Sequence, residues 1–271
     1  MNESLRLNKA LFITSGLLAL FASSWGVIQP NMYGSVVPET IIPGVFAQDL
    51  FVGGSSILLI VLSIMMGPTD IRKIIINIGV LGFFFYAYGI YAIEQIYTPL
   101  YPIYLAILSL SFFSMATALA SLKSDAIERL RLPGYVRYAS ATFGFFIAVM
   151  FSIIWFSHLI PLLETGDRIE YTFSVYIIDL VFIMPAFGIT AILLIKRGAV
   201  GIVGLPALFV VGIGILSPLA VAEFLKPIMF NIPAIPGELQ LYGILSLSFL
   251  MFSVVYLSAL KYPDGSVIGN R

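Results

Sequence analysis

The chain has 271 residues, 60% of them hydrophobic and only 10% charged. A soluble domain carries about 25% charged residues, so the composition excludes one and points to a polytopic protein embedded in the lipid bilayer. Fourteen basic and fourteen acidic residues cancel, which argues against nucleic acid as a partner, and the absence of cysteine removes disulfides, thiolate metal sites and iron–sulfur ligation.

After a polar lead from Met1 to Lys9, the mostly apolar run from Ala10 to Ile28 is long enough to cross a bilayer. A signal peptide shares part of this pattern, but no small-x-small cleavage site follows cleanly, so a retained helix is expected. Gln29 to Gln48 reads as a loop marked by Pro30, Pro38 and Pro43, with Asp49 to Met66 as the second span. Gly67-Pro68-Thr69-Asp70 breaks it, Ile74 to Ile93 forms the third span, and a turn from Glu94 to Leu100 leads to the fourth, Tyr101 to Ala120. The charged stretch with Lys123, Asp125, Glu128, Arg129, Arg131 and Arg137 is the natural linker. The second half repeats the plan: Tyr138 to Ile160, a polar loop, Tyr171 to Ile195, then Ala199 to Ala222, a proline-marked loop, and Gln240 to Leu260. The reading is all-α with eight transmembrane helices, and its short loops leave no room for an extramembrane domain.

Landmarks recur between the halves. Ile107 to Phe112 and Ile244 to Phe249 are the same hexamer, Ile-Leu-Ser-Leu-Ser-Phe. The stretch of chain that separates Trp25 from Trp155 is equal in length to the one that separates Asp49-Leu50 from Asp179-Leu180. These spacings predict two tandem four-helix units, residues 1–130 and 131–271. With a cytoplasmic N-terminus, Arg6, Lys9, Arg72, Lys73, Lys123, Arg129, Arg131, Arg137, Lys196, Arg197, Lys261 and Arg271 fall inside, and only Arg168 and Lys226 outside. The positive-inside rule therefore puts both termini in the cytoplasm, in the cell membrane. An even number of spans per unit makes the two copies insert the same way round.

Asp49 and Asp179 are the sharpest candidates for chemistry. A carboxylate within a span costs about 2.5–3.5 kcal/mol at the helix centre on insertion scales and so asks for a partner or a role. The plain reading is that both sit near helix N-termini, held by free amides; Asp179 lies deeper in its span and fits that reading less well. Glu94 and Glu223 close the third and seventh helices at nearly matching positions of the repeat. With the aspartates they suggest a cation or proton entrance, or a hard-cation site of oxygen ligands; water-facing loop glutamates are the plainer account.

Pro185 and Pro218 suggest kinks that free backbone carbonyls. Tyr88 and Tyr91 share a helix face and offer hydroxyls to a ligand, whereas Tyr97, Tyr101 and Tyr104 read as an interfacial belt. His158, the single histidine, cannot supply paired haem ligands or a multi-histidine zinc site, and a proton relay with Asp179 competes with a hydrated interfacial place. No phosphate-binding loop, His-Glu-x-x-His or Gly-x-Ser-x-Gly motif occurs. The two aspartates also lack the Tyr-Asp and Gly-x-Gly-Asp surroundings of intramembrane aspartic proteases, so an enzyme is not expected, nor a cofactor or resident metal.

Gln48-Asp49-Leu50, Tyr86-x-Tyr88, Tyr101-x-x-Tyr104 and Asp179-Leu180-Val181-Phe182-x-x-Pro185 together resemble a pattern in uncharacterised prokaryotic polytopic membrane proteins. The resemblance implies no activity and points to the same aspartates and tyrosines. The leading expectation is a secondary transporter or permease for a small solute or ion, with a site between the units around Asp49, Asp179, Tyr88 and Tyr91. The alternative is a non-catalytic membrane subunit or sensor that binds a partner protein or ligand at its external face. A midplane cavity lined by both aspartates favours the first, and a tightly packed midplane the second.

Overall fold

The computed structural model describes residues 3–67, 70–122 and 127–262. Of the residues named above, Met1, Pro68, Thr69, Lys123, Asp125 and Arg271 lie outside the described residues. Among those described, eight helices are long and apolar enough to cross a membrane: α1 (Glu3–Ile28), α2 (Ile42–Met65), α3 (Ile71–Ile93), α4 (Tyr101–Ala120), α5 (Gly134–Thr165), α6 (Phe173–Ile195), α7 (Ala199–Met229) and α8 (Pro236–Ala259). The chain is all-α and a polytopic membrane protein. Extended pairing among the described residues is confined to one bridge, Arg131 with Lys261.

Three boundaries differ from the sequence expectation, each for a reason of proline chemistry. Pro43 does not prolong the loop; it occupies the first turn of α2, where its missing N–H costs nothing. The helix therefore begins at Ile42, and Asp49 lies about two turns inside it instead of at its head. Pro30 opens a short 3₁₀ turn, Pro30–Tyr33, which closes the end of α1. α7 tolerates Pro206, Pro218 and Pro227 and runs on to Met229, so Glu223 sits within the helix and does not end it.

Pro185 leaves its own mark on α6. The segment Asp179–Ile183 is wound as a π-helix, and the Met184 N–H reaches back to the Asp179 carbonyl. Proline cannot donate to the carbonyl four residues earlier, and a π-turn is one way a helix absorbs that loss. The wide turn thus opens at the acidic residue itself.

At the centre, α3 packs directly on α7. A Cβ on Gly79 would lie 2.5 Å from Val210 Cβ and 2.7 Å from the Ala207 carbonyl oxygen, and one on Gly214 would lie 2.4 Å from Phe83 Cγ. Helices approach this closely in lipid because small residues let dispersion contacts form, there being little hydrophobic force between helices already surrounded by hydrocarbon. α3 and α7 bury 72% and 61% of their most apolar stretch, against 11% in α5 and 17% in α8, whose apolar sides are left to lipid.

Around that pair the neighbours follow one rule. α1 packs on α2 and α4 and touches α3, α2 packs on α3, and α3 on α4; α5 packs on α6 and α8 and touches α7, α6 packs on α7, and α7 on α8. The two hexamers fall in α4 and α8, the tryptophans in α1 and α5, and the aspartates in α2 and α6. One end of the bundle gathers Asp49, Glu94, Asp179 and Glu223, and the other gathers Arg72, Lys73, Arg131, Arg197 and Lys261. They are the acidic and basic ends below.

Candidate functional site

Asp49 is 2% exposed and is held by phenols from two directions. The Tyr33 hydroxyl, carried on the 3₁₀ turn, donates to Asp49 Oδ2 at 2.7 Å, and the Tyr91 hydroxyl of α3 donates to Oδ1 at 3.3 Å. Tyr33 and Tyr104 hydroxyls lie 3.4 Å apart, and Thr98 Oγ1 donates to the Tyr104 hydroxyl at 3.1 Å. The rings of Tyr88, Tyr91 and Tyr104 pack against one another with centroids 5.1–5.7 Å apart. Burial, with Tyr91 and Asp49 beside it, pushes the Tyr33 phenol well above its ordinary range, so it remains a donor.

A further wall of this cage is backbone. A Cβ on Gly26 of α1 would fall 1.9 Å from Asp49 Oδ2 and 2.6 Å from the Tyr33 hydroxyl oxygen, so the carboxylate occupies the space a side chain would take. Every member of the cage, from Gly26 to Tyr104, belongs to the first four spans and their loops.

Asp179, 6% exposed, has different company. The Trp155 indole Nε1 of α5 donates to Oδ2 at 2.8 Å, and the Tyr86 phenol of α3 stands beside the same carboxylate. Trp155 packs edge-on to Tyr176, and His158 stands against both rings at 6.0 and 6.4 Å. Asp179 therefore takes its hydrogen bond from an indole of its own half and has a phenol of the other half beside it. The histidine borders this group as an aromatic neighbour.

The structure brings Asp49 and Tyr91 into contact, with Tyr88 packed beside them and its hydroxyl directed at the Ala19 carbonyl at 3.5 Å. The remaining three acids have separate partners. Glu94 Oε1 accepts the Ser174 N–H at 2.7 Å, which ties the end of α3 to the start of α6. Glu223 accepts from Lys226 and, at 2.9 Å, from the Ile235 N–H that precedes α8. Both satisfy amide donors left free at a helix start. No group of three or more His, Asp or Glu side chains positioned for a metal ion occurs among the described residues.

Several members of these clusters were not singled out as site residues by sequence. Tyr33 lies in a four-residue turn with no periodicity to mark it. Tyr104 shares helical spacing with Tyr97 and Tyr101, yet it is buried while Tyr97 is 62% exposed; the expected belt divides into an exposed Tyr97, a half-buried Tyr101 and a core residue. Trp155 was legible as a landmark but not as a donor, because Trp25, at the matching position, is 48% exposed. No family model, curated protein or solved structure matches the chain.

Proposed function

We propose that this membrane protein is a non-catalytic subunit or ligand sensor, with both termini cytoplasmic and its recognition chemistry in the external half of the membrane. The observation that carries the reading is the closure of α3 on α7. At the place where a pathway shared by the two halves would run, Gly79 meets the Ala207 backbone and Gly214 meets the Phe83 ring. The two aspartates stand beside different tyrosines of α3 and have their own hydrogen-bond partners. A descent from two tandem four-helix copies, residues 1–130 and 131–271, is supported by the common packing rule, under which raising each helix number by four converts the first set of neighbours into the second. The sidedness is supported by the distribution of basic residues.

A second reading, transport of a proton or small solute, is favoured by one feature. The hydroxyls of Thr98, Tyr104 and Tyr33 form a chain that ends on Asp49, which is the arrangement a proton path within the first half would use. Proteoliposomes loaded with a pH-sensitive dye separate the two. The sensor reading expects proton and solute flux at the level of protein-free vesicles; flux above it that falls with Asp49→Asn would replace that reading with transport.

A further inference from the structure

At the basic end of the bundle, away from both aspartates, a cavity of about 570 Å³ opens between the connector before α5, the ends of α6 and α8 and the start of α7. Arg129 and Arg131 line it from the connector, Arg137 from the first turn of α5, Arg197 from the turn between α6 and α7, and Lys261 from beyond α8, with Glu128 the one acidic lining residue. Retention of basic residues on one side of a membrane explains their number at this end. It does not explain a buried one.

Arg137 is only 9% exposed, its Nε has no hydrogen-bond partner, and its guanidinium carbon stands 4.8 Å from the centre of the Tyr138 ring. Among the described residues the ion pairs are Lys73 with Asp70 and Lys226 with Glu223, so none of the five cations at the cavity is paired there. A guanidinium so far buried, with no ion-pair partner among the described residues, is unfavourable, and an anion that enters the cavity would complete this arrangement. The backbone adds to it: α5 and α7 both begin beside the cavity and neither has a side-chain cap, so their positive dipole ends lie near it.

The frame is held by hydrogen bonds within the chain. Arg131 and Lys261 exchange backbone hydrogen bonds of 2.8 and 3.0 Å, and Arg72 Nη2 ties the Leu260 carbonyl at 2.6 Å. Arginine forks match the oxygens of a phosphate in bidentate fashion, and several converging cations suit a multiply charged oxyanion better than a lone carboxylate. We propose that this cavity is a phosphate-group site, with Arg137 as its buried anchor and Arg129, Arg131, Arg197 and Lys261 as its rim. The group comes from an anionic lipid headgroup, which lies at this height of a bilayer, or from a small soluble phosphorylated compound.

The test uses the full chain, delipidated in a maltoside detergent. In one arm, phosphatidic acid or phosphatidylglycerol is added and native mass spectrometry counts the lipid retained per chain; phosphatidylcholine is the neutral comparison. In the other, inorganic phosphate and pyrophosphate are titrated with phosphorus NMR and thermal unfolding as readouts. Saturable binding in either arm identifies the source, and Arg137→Gln is expected to weaken it about tenfold or more, the scale of a lost charge-assisted hydrogen bond. Should Arg137→Gln not fold, the double variant Arg129→Gln, Arg197→Gln is expected to show the same loss. Binding that saturates in neither arm, or that folded variants leave unchanged, overturns the proposal and leaves a basic cluster that only orients the chain.

Discussion

Asp49 and Asp179 hold equivalent places in the second helices of their halves, and both are buried. Their surroundings nevertheless share no donor. Asp49 is enclosed by Tyr33, Tyr91 and the Gly26 backbone, all from the first half, whereas Asp179 accepts from the Trp155 indole and has the Tyr86 phenol beside it from across the division. The positions that would mirror the first cage are exposed. The offset that carries Asp49 onto Asp179 carries Tyr33 onto Leu163, 82% exposed, and Gly26 onto Phe156, 54% exposed. An acid inside a membrane protein requires hydrogen-bond partners, but it does not dictate which side chains supply them. One site closes a single half upon itself, and the other lies where the two halves meet.

The largest expected effect breaks the enclosure on one side only. Gly26→Val should destabilise the protein by about 3 kcal/mol or more, because its side chain would occupy the space of the Asp49 carboxylate. Phe156→Ala, at the matching position, should stay within about 0.5 kcal/mol, being a surface change away from any buried contact. Thermal unfolding in detergent measures both, and equal effects would mean that the first cage is not closed. Next in size is Tyr33→Phe, which strips the 2.7 Å bond from Asp49 and the contact with Tyr104. The loss expected is about 2 kcal/mol, against about 1 kcal/mol for Trp155→Phe at the more accessible Asp179 site.

The sharing of Asp179 between halves gives a smaller, more specific signal. In double-mutant cycles, Tyr86→Phe and Trp155→Phe should couple by about 0.5–1 kcal/mol because both side chains stand at one carboxylate. Tyr86→Phe and Tyr33→Phe, which have no common partner, should add to within about 0.5 kcal/mol. Additivity in the first pair would reduce Asp179 to a site of its own half.

Much of this architecture could be read from the chain, because lipid demands long apolar runs and penalises each charge placed in one. The same penalty marked Asp49 and Asp179 before any coordinates. What escaped was decided by geometry that no spacing encodes. Pro43 punctuates a loop and starts a helix with equal ease, so the depth of Asp49 was understated. Glu223 stands between Pro218 and Pro227 and looked like an end, yet α7 absorbs both prolines and Pro206 as well. Tyr33 enters the core because a 3₁₀ turn folds back over α2 and α3, and Arg137 sits in a charge run that reads as a solvated linker although the side chain is buried.

The smallest expected effect comes from a carboxylate outside both sites and fixes the scale of what burial adds to them. Asp70 precedes α3 at the basic end with its side chain 38% exposed, accepting from Lys73 Nζ and from the Gly67 N–H, each at 2.8 Å. The Lys73 hydrogen bond first, and the Gly67 amide second, hold its carboxyl below the usual carboxylate range. A depressed folded-state value means the contribution is complete above the unfolded pKa, near 3.9 for an aspartate, and is lost as pH falls through the lower folded value. Asp70→Asn should therefore cost less than about 1 kcal/mol at neutral pH, solvent and salt screening so exposed a pair. The difference between wild type and variant should narrow only as the pH drops below about 4. A gap as wide as that for Tyr33→Phe, or one that persists at pH values well below the carboxylate range, would show that enclosure is not what separates the two aspartates from an ordinary surface acid.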